Sequence, residues 1–283
     1  MVREAEPSLN EKQFVLRALK DGLRTDGRRP YDFRSIQISF LSEYGHVQIQ
    51  LGRTRVTRVS AKVTAEVVRP RPDKPTEGLL LFNTEISPMA SPAFEIGRPS
   101  EEEVLISRTI EKALRRSRAV DTEGLCIVAG EKVWSIRVDL HFFDHEGNLV
   151  DCASIAAITA LLHFRRPDVT VIGEEVTIHP MDQRNPVPLS VHHIPICVSF
   201  SFFADGELLV VDPSIIEEQI REGDMTIAMN IHKEICALSK AGGIPLEMDQ
   251  IIRCSKIATT KTAEITELIQ KALADDKAQR QSK

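Results

Sequence analysis

Alternating apolar positions in the first part of the chain predict an antiparallel sheet. Apolar and polar residues alternate over residues 36–40, 47–51 and 59–67. Period-two alternation places the apolar side chains on one face of a strand. The segment 52–56 between the second and third runs therefore predicts a hairpin.

Two sequence signals predict helix starts. Serine is followed three positions later by glutamate at residues 8–11 and 100–103, which is the spacing of a capping box. The first signal predicts a short helix over residues 8–20, and the second predicts a helix that ends near Arg118. The apolar residues expected on the packed side of the first helix are Phe14, Val15, Ala18 and Leu19.

A nearly continuous apolar stretch from Cys152 to Leu162 predicts a central buried helix. Only Ser154 and Thr159 interrupt it. The stretch is shorter than the roughly 20 residues that a membrane-spanning helix needs. We therefore expect no membrane association.

The second half of the chain repeats the pattern of strands followed by a helix. The predicted strands are Ile194–Phe203, Leu208–Val211, Met225–Asn230 and Ile231–Leu238, and the predicted helix covers residues 247–273. The pattern indicates an α+β fold of two packed sheet-and-helix halves. We divide the chain into an N-terminal helix and arm (1–30), a first domain (31–185), a second domain (190–275) and a polar tail that frays (276–283).

Composition narrows the function classes. The chain has 283 residues, a net charge of −5 and five cysteines. An odd number of widely spaced cysteines argues against disulfides and zinc sites. The charge and the low aromatic content of 5% mean that any RNA contact is expected at a local basic patch and to the backbone. The N-terminus resembles no secretory signal, so we expect an intracellular protein.

Six motifs in order along the chain resemble the RNase PH family. They are Arg-Thr-Asp-Gly-Arg (24–28), Gly-x-Thr-x-Val (52–56), Glu-Gly-Leu (77–79), Gly-Glu-Lys-Val-Trp (130–134), Asp-His-Glu-Gly-Asn-Leu-Val-Asp (144–151) and Ala-Ala-Ile-Thr-Ala-Leu (156–161). Segments 163–169, 188–200 and 253–273 are similar to the eukaryotic ring subunits within that family.

The resemblance implies an RNase PH-like fold, of the ribosomal protein S5 domain-2-like type, in a six-membered ring of the RNA exosome. It implies as partners other RNase PH-like subunits, including one direct heterodimer partner, S1/KH cap subunits, a separate catalytic nuclease and RNA. We expect no cofactor. The implied location is the nucleus and nucleolus, and also the cytoplasm.

The phosphate-binding turn of active family members has lost its chemistry in this sequence. The resemblance aligns its Gly-Gly-Thr-Arg turn with residues 151–154, Asp-Cys-Ala-Ser. The glycines are gone, Ser154 replaces the arginine, and Asp151 places a carboxylate at the helix N-terminus that bound phosphate would occupy. We expect Asp151 to be the N-cap of the helix and the chain to be catalytically inert.

An acidic pair keeps an enzymatic alternative open. Glu218 and Asp224 have the family's six-residue spacing of catalytic carboxylates. With them, the chain would be a phosphate-dependent 3′-to-5′ exoribonuclease. The structural interpretation is a surface acidic loop without metal.

Basic residues offer RNA contacts. Arg108, Lys112 and Arg115 recur at helical spacing, and Arg116 adjoins them. We expect this stripe to contact RNA phosphates, the structural alternative being a solvated helix face. A second group, Arg53, Arg55, Arg58 and Lys62, either lines an RNA entry or only solvates a sheet edge.

Two further groups are expected to be structural. One is the turn with Arg24, Asp26 and Arg28. The other is the pair His192 and His193, whose side chains point in opposite directions and cannot share a metal.

Overall fold

The computed structural model describes residues 6–95, 97, 99–172, 175–180 and 183–281. Its helices are α1 (Leu9–Lys20), α2 (Glu101–Glu111), α3 (Leu149–His163), α4 (Ile215–Ile220) and α5 (Met248–Gln281). Its strands are β1 (Ile36–Phe40), β2 (His46–Leu51), β3 (Thr57–Val68), β4 (Leu79–Ile86), β5 (Cys126–Val128), β6 (Lys132–Asp144), β7 (Arg165–Arg166), β8 (Val169–Ile172), β9 (Glu175–Ile178), β10 (Val187–Pro188), β11 (Ile196–Phe203), β12 (Leu208–Val211), β13 (Gly223–Met229) and β14 (Ile235–Ser239).

The first sheet has the strand order β1-β2-β3-β6-β4, and β5 pairs with β6. The strands are antiparallel except that β4 runs parallel to β6. Val47, Ile49 and Leu51 of β2 are fully buried, as their alternation with polar residues predicts. The hairpin of β2 and β3 around residues 52–56 is therefore confirmed.

Helix α3 lies between the two halves of the molecule. Its apolar side chains share one core with β2 and β3 of the first sheet and with Ile196 of β11 and Ile265 and Ile269 of α5. A helix covered on several sides is apolar around its circumference, which is why the sequence pattern identifies it. The predicted central buried helix is confirmed.

The second sheet has the order β12-β11-β13-β14, with every pair antiparallel. The long helix α5 packs on it through Cys254 and Ala258, which join a core with Val198 and Phe200 of β11. The α+β fold of two sheet-and-helix halves is thus observed. The strand predicted over residues 231–238 is shorter than expected and begins at Ile235, because residues 231–234 form the turn from β13.

Helix α1 begins at the predicted capping box, in which Ser8 and Glu11 bond reciprocally. Val15 and Leu19 are buried against Phe203 and Val210 of the second sheet. Phe14, predicted to pack, is instead 66% exposed. A helix this short touches the sheet along a narrow stripe, and position 14 lies outside it.

The end of the chain departs from the prediction of a fraying tail. Helix α5 continues to Gln281, so residues 276–281 are helical. Arg280 donates to the carbonyl oxygens of Leu41 and Ser42 in the first domain. These long-range contacts have no signature in the local pattern of polar residues.

Helix α2 starts at the predicted Ser100 capping box and buries Ile106 and Ile110. It continues into a π-helical turn over residues 112–116, which buries Ala113 and Leu114. A π turn winds the backbone wider than an α-helix, so it changes which side chains share a face. None of the described helices is both long enough and apolar enough to cross a membrane.

Gly147 joins β6 to α3 at a position that only glycine tolerates. Its φ is +82°, and an added Cβ would lie 2.6 Å from the backbone nitrogen of Ile215. Gly130 has a similar φ of +80° but nothing within 4 Å of a Cβ. It is therefore a matched control for the backbone conformation alone.

We expect Gly147→Ala to lower the free energy of unfolding by at least about 2 kcal/mol more than Gly130→Ala, because the clash adds to the left-handed strain that both variants share. Urea denaturation followed by circular dichroism measures both. Equal losses for the two variants would show that the loop yields to the extra methyl group.

Candidate functional site

The start of α3 is the position that the family resemblance aligns with a phosphate-binding turn. Asn148 is the N-cap residue, with a left-handed φ of 56°. Asp151 is the third residue of the helix and not its cap, so the prediction of an Asp151 N-cap is wrong. The left-handed backbone at Gly147 and Asn148 starts the helix three residues earlier than the cap prediction does.

The carboxylate of Asp151 is fully buried and its hydrogen bonds are supplied from within the chain. Oδ2 accepts from the backbone N–H of Ser199 at 2.9 Å and from Nδ2 of Asn148 at 2.9 Å. Oδ1 accepts from the hydroxyl of Ser199 at 2.7 Å. Burial raises the pKa of Asp151 to about 7, although these hydrogen bonds lower it.

The other residues of the aligned turn are also turned inward. Ser154 is 1% exposed, and its hydroxyl accepts from the backbone N–H of Cys197 at 3.1 Å. Cys152 and Ala153 are fully buried. Residues 151–154 therefore contribute buried packing, one carboxylate and no positive charge.

Asp212 lies beside this position, and sequence reasoning missed it. Its fully buried carboxylate accepts from Arg28 at 2.7 Å, from Arg34 at 2.7 Å and from Nδ2 of Asn148 at 2.7 Å. Burial opposes ionisation, but the charges of Arg34 and Arg28 and the hydrogen bonds outweigh it. The pKa of Asp212 therefore lies below its ordinary value.

The arginine turn of the N-terminal arm is structural. Arg24 is buried and pairs with Glu217 of α4 at 2.9 and 2.5 Å. Arg28 pairs with Asp26 at 2.5 Å as well as with Asp212. The expectation of Asp–Arg pairing within the turn is correct for Arg28, whereas Arg24 and Arg28 also hold the arm to the second sheet.

Glu218 and Asp224 lie on regular elements and not in a surface loop, so that structural interpretation is wrong. Glu218 is on α4 with its side chain 21% exposed, and Asp224 is on β13. Oε1 of Glu218 accepts from the backbone N–H of Asn148 at 2.8 Å. Burial raises the pKa of Glu218 to about 7, against the lowering effect of Arg221.

Arg221 compensates both carboxylates of this acidic pair. Its guanidinium lies 3.9 Å from Glu218 and 3.9 Å from Asp224. The cation of Arg221 within reach of both carboxylates disfavours a metal ion beside them. Among the described residues, no group of three or more His, Cys, Asp or Glu side chains is arranged to hold a metal ion.

A cleft of about 570 Å³ lies beside the end of α2, and we call it the arginine cleft. Its cationic lining residues are Arg71, Lys74, Arg115, Arg116 and Arg118, and its acidic ones are Glu77, Glu111, Asp121 and Glu123. Lys74 pairs with Glu77 at 2.7 Å, and Arg115 pairs with Glu111 at 2.6 Å.

Three arginines of the arginine cleft keep their charge available. The side chains of Arg71, Arg116 and Arg118 make no hydrogen bond or ion pair with another residue that the structure describes. Guanidinium groups are donors that suit phosphate oxygens, although Asp121 and Glu123 line the same cleft. Sequence reasoning missed Arg71 and Arg118, because the loop and the helix end that carry them meet only in the fold.

The predicted basic stripe is divided by the π turn. Arg115 and Arg116 line the arginine cleft, whereas Arg108 and Lys112 lie on α2 and at the start of the π turn, exposed and outside the cleft lining. The wider turn separates residues that an uninterrupted α-helix would align. The structure thus brings only part of the stripe to one site.

The second basic group is largely paired across the sheet. Arg55 lies 3.3 Å from Glu146, Arg58 lies 3.4 Å from Asp144, and Lys62 lies 3.0 Å from Glu43. These pairs favour the interpretation that the group solvates the sheet. The two adjacent histidines are separate, since His192 lines the arginine cleft and His193 bonds to Ser117 at 3.2 Å.

Comparisons with known proteins agree with this architecture. Residues 32–167 match domain 1 of the 3′ exoribonuclease family, RNase PH, and residues 193–261 match its domain 2. The chain therefore belongs to the RNase PH family of 3′ exoribonucleases.

Curated relatives are similar along nearly all of the chain. A Bos taurus protein named exosome complex component RRP45 is 55% identical over 275 residues, which cover 97% of this chain and 62% of the bovine protein. The Schizosaccharomyces pombe protein of that name is 51% identical over 276 residues, 98% of this chain and 94% of its own length. The chain thus spans less than two thirds of the bovine relative.

A solved structure is similar in fold and sequence. A chain of the Archaeoglobus fulgidus exosome with RNA bound to the active site superposes with a TM-score of 0.79 and 29% identity, covering 91% of this chain and 97% of that chain. The RNase PH-like fold implied by the sequence motifs is confirmed.

Asp151 makes the stability of the protein depend on pH. Its pKa rises from 3.8 in the unfolded chain to about 7 in the fold, so the stabilisation from its proton is present at low pH and is lost as pH rises from about 4 to 7. In Asp151→Asn the side-chain oxygen can accept from the Ser199 backbone N–H and from Nδ2 of Asn148. The side-chain NH₂ can donate to the Ser199 hydroxyl, which rotates to accept it.

We expect the stability of the natural protein relative to Asp151→Asn to fall by up to about 1.4 kcal/mol per pH unit across that window. Urea denaturation at pH 5, 6, 7 and 8 measures it, with Asp73→Asn in the exposed loop before β4 as the control. A constant difference between the two proteins would mean that Asp151 is ionised throughout.

Proposed function

We propose that this chain is a non-catalytic RNase PH-like ring subunit of the RNA exosome. It assembles the ring and contacts the RNA backbone, and it thereby supports 3′-to-5′ RNA processing and degradation, including that of ribosomal and messenger RNA. The observation that carries the proposal is the closed hydrogen-bond shell of Asp151, in a chain about half identical to proteins named as exosome components.

The loss of catalysis follows from charge. Phosphorolysis needs a bound phosphate as nucleophile and positive groups around it. At the aligned turn the chain presents the Asp151 carboxylate and the neutral Ser154, whose hydroxyl is already bonded to the backbone N–H of Cys197. The backbone N–H of Ser199, which lies beside this turn, is bonded to Asp151.

The acidic pair supports the same conclusion. The guanidinium of Arg221 lies 3.9 Å from both Glu218 and Asp224, and Glu218 also accepts from the Asn148 backbone N–H at 2.8 Å. Carboxylates that are paired with a cation and a backbone donor are poor ligands for a second cation. We therefore assign Glu218 and Asp224 structural roles and expect no cofactor.

Assembly into a ring is supported by one edge of the second sheet. β14 is an edge strand, and its residues Ile235 and Leu238 are 51% and 49% exposed. Exposed apolar edges are usually covered by a partner. The proposed partners are other RNase PH-like ring subunits, one of them in a direct heterodimer, together with S1/KH cap subunits and a separate catalytic nuclease.

RNA contact is assigned to the arginine cleft. Its unpaired Arg71, Arg116 and Arg118 offer charge to phosphates without reading bases. Arg108 and Lys112 are exposed cations outside the arginine cleft. In this proposal they form a second, separate contact to RNA. We place the protein in the nucleus and nucleolus and in the cytoplasm, where the proposed assembly would meet its RNA.

The first test is enzymatic. We expect the purified chain to release no nucleoside diphosphates from labelled single-stranded RNA with phosphate and Mg²⁺, and to match Asp224→Asn under every condition. Phosphate-dependent release that Asp224→Asn abolishes would contradict the proposal and support an exoribonuclease that uses Glu218 and Asp224.

The second test compares two double charge reversals of equal size. Arg116→Glu with Arg118→Glu removes cleft cations, whereas Arg108→Glu with Lys112→Glu changes the exposed part of the helix. We expect the cleft variant to lower the salt slope of single-stranded RNA binding by about 1.4, at roughly 0.7 per phosphate contact, and to weaken binding more than the helix variant.

Fluorescence anisotropy with labelled RNA between 50 and 300 mM salt measures both slopes. If the helix variant lowers the salt slope of RNA binding as much as the cleft variant does, the whole basic stripe contacts RNA. If neither variant changes the slope, RNA contact by this surface is contradicted, and the chain acts as an assembly subunit only.

A further inference from the structure

His163 ends α3 and uses both nitrogens of its ring. The side chain is 3% exposed, Nδ1 accepts from the backbone N–H of Gly45 at 3.0 Å, and Nε2 lies 3.2 Å from Oδ2 of Asp276. A neutral imidazole has one donor and one acceptor nitrogen. Acceptance at Nδ1 therefore places the proton on Nε2, which donates it to Asp276.

The last turns of α5 are held to the first domain by polar contacts. The last fully buried side chain of α5 is Ile269, and the last apolar side chain packed against the main core is Leu273. Beyond it, Arg280 donates to Asp276 at 2.7 Å and to the carbonyl oxygen of Ser42 at 2.9 Å, and its guanidinium lies 4.8 Å from the ring centroid of Tyr44. We call His163, Asp276 and Arg280 the α5 clamp.

The surroundings of His163 disfavour its charged form. The rings of Phe40 and Tyr44 lie 4.8 and 5.3 Å from the imidazole. Burial lowers the pKa of His163, the Asp276 carboxylate opposes this, and the cations Arg280 and Arg165 add to it. The His163 pKa therefore lies below its ordinary value of 6.5.

The remaining charged groups of the β1–β2 turn are engaged elsewhere. Glu43 pairs with Lys62 at 3.0 Å, and His46 bonds to Ser60 at 3.0 Å. The charged groups that face the imidazole are thus Asp276 and Arg280 from α5 and Arg165 from the strand after α3.

We propose that the α5 clamp is an acid-sensitive device that releases residues 274–281 from the first domain when His163 is protonated. A proton on Nδ1 would face the N–H of Gly45, so two donors would meet at 3.0 Å. The imidazolium can be hydrated only if the β1–β2 turn or the end of α5 moves away. Asp276 and Arg280 then lose the contacts that fix the final turns.

Hydrogen exchange of the full chain at pH 7.5, 6.5, 5.5 and 5.0 tests the device, with rates converted to protection factors. We expect protection of residues 274–281 to fall by up to about tenfold per pH unit as the pH drops below 6.5, the ordinary pKa that the released imidazole regains, and to level off below the lower pKa of the clamped imidazole, since one proton is taken up on release only between these two values. Residues 155–161 in the middle of α3 should change less than twofold.

Two asparagine variants distinguish the causes. His163→Asn keeps an acceptor near Gly45 but does not titrate, so protection of residues 274–281 should become independent of pH. His46→Asn, two positions along the chain from Tyr44, should retain the pH dependence of the natural protein. A constant protection factor in the natural protein, or an unchanged response in His163→Asn, would overturn the proposal.

Discussion

The buried carboxylate of Asp212 is the interaction on which the arrangement of the two halves depends. It sits at the end of β12 and accepts hydrogen bonds from Arg28 of the N-terminal arm, from Arg34 just before β1 and from Asn148 at the start of α3. Three parts of the chain that are distant in sequence thus converge on one charge. Removing one partner of such a buried group leaves an uncompensated charge, which is typically worth about 3–5 kcal/mol. The arm, the central helix and the second sheet are therefore fixed relative to one another by ionic and not only apolar contacts.

This junction occupies the place that the family resemblance aligns with a phosphate-binding turn. Asn148 donates to both Asp212 and Asp151, so the two carboxylates share one amide at the start of α3. Asp212 stays ionised because two arginines face it, whereas Asp151 faces only neutral donors, and burial raises its pKa to about 7. Two buried carboxylates that are bonded within the chain thus lie at the start of α3. Positive charge remains available elsewhere, at the unpaired arginines of the arginine cleft.

The central helix α3 connects the Asp151 junction with the α5 clamp. Its N-terminal end carries Asp151 and its C-terminal end carries His163, and between them apolar residues pack on both halves. The polar residues within it are each bonded, as Thr159 is to the carbonyl oxygen of Ile155 at 2.7 Å. A helix buried on all sides cannot shift without disturbing both cores. The cap junction and the α5 clamp therefore lie at two ends of one rigid element.

Local chemistry was sufficient to predict most elements from the sequence. Alternation identified β2 and β3, capping boxes located the starts of α1 and α2, and continuous hydrophobicity identified α3, because each signal depends on residues within one turn or one strand. The ordered motifs identified the family and predicted that residues 151–154 lack the chemistry for phosphate. Only the tertiary structure decided that Asp151 is bonded to Ser199, that Arg71 and Arg118 join Arg116 in one cleft, and that residues 276–281 pack as helix on the first domain. Each of these depends on partners tens to hundreds of residues away, and no local period records such a pairing.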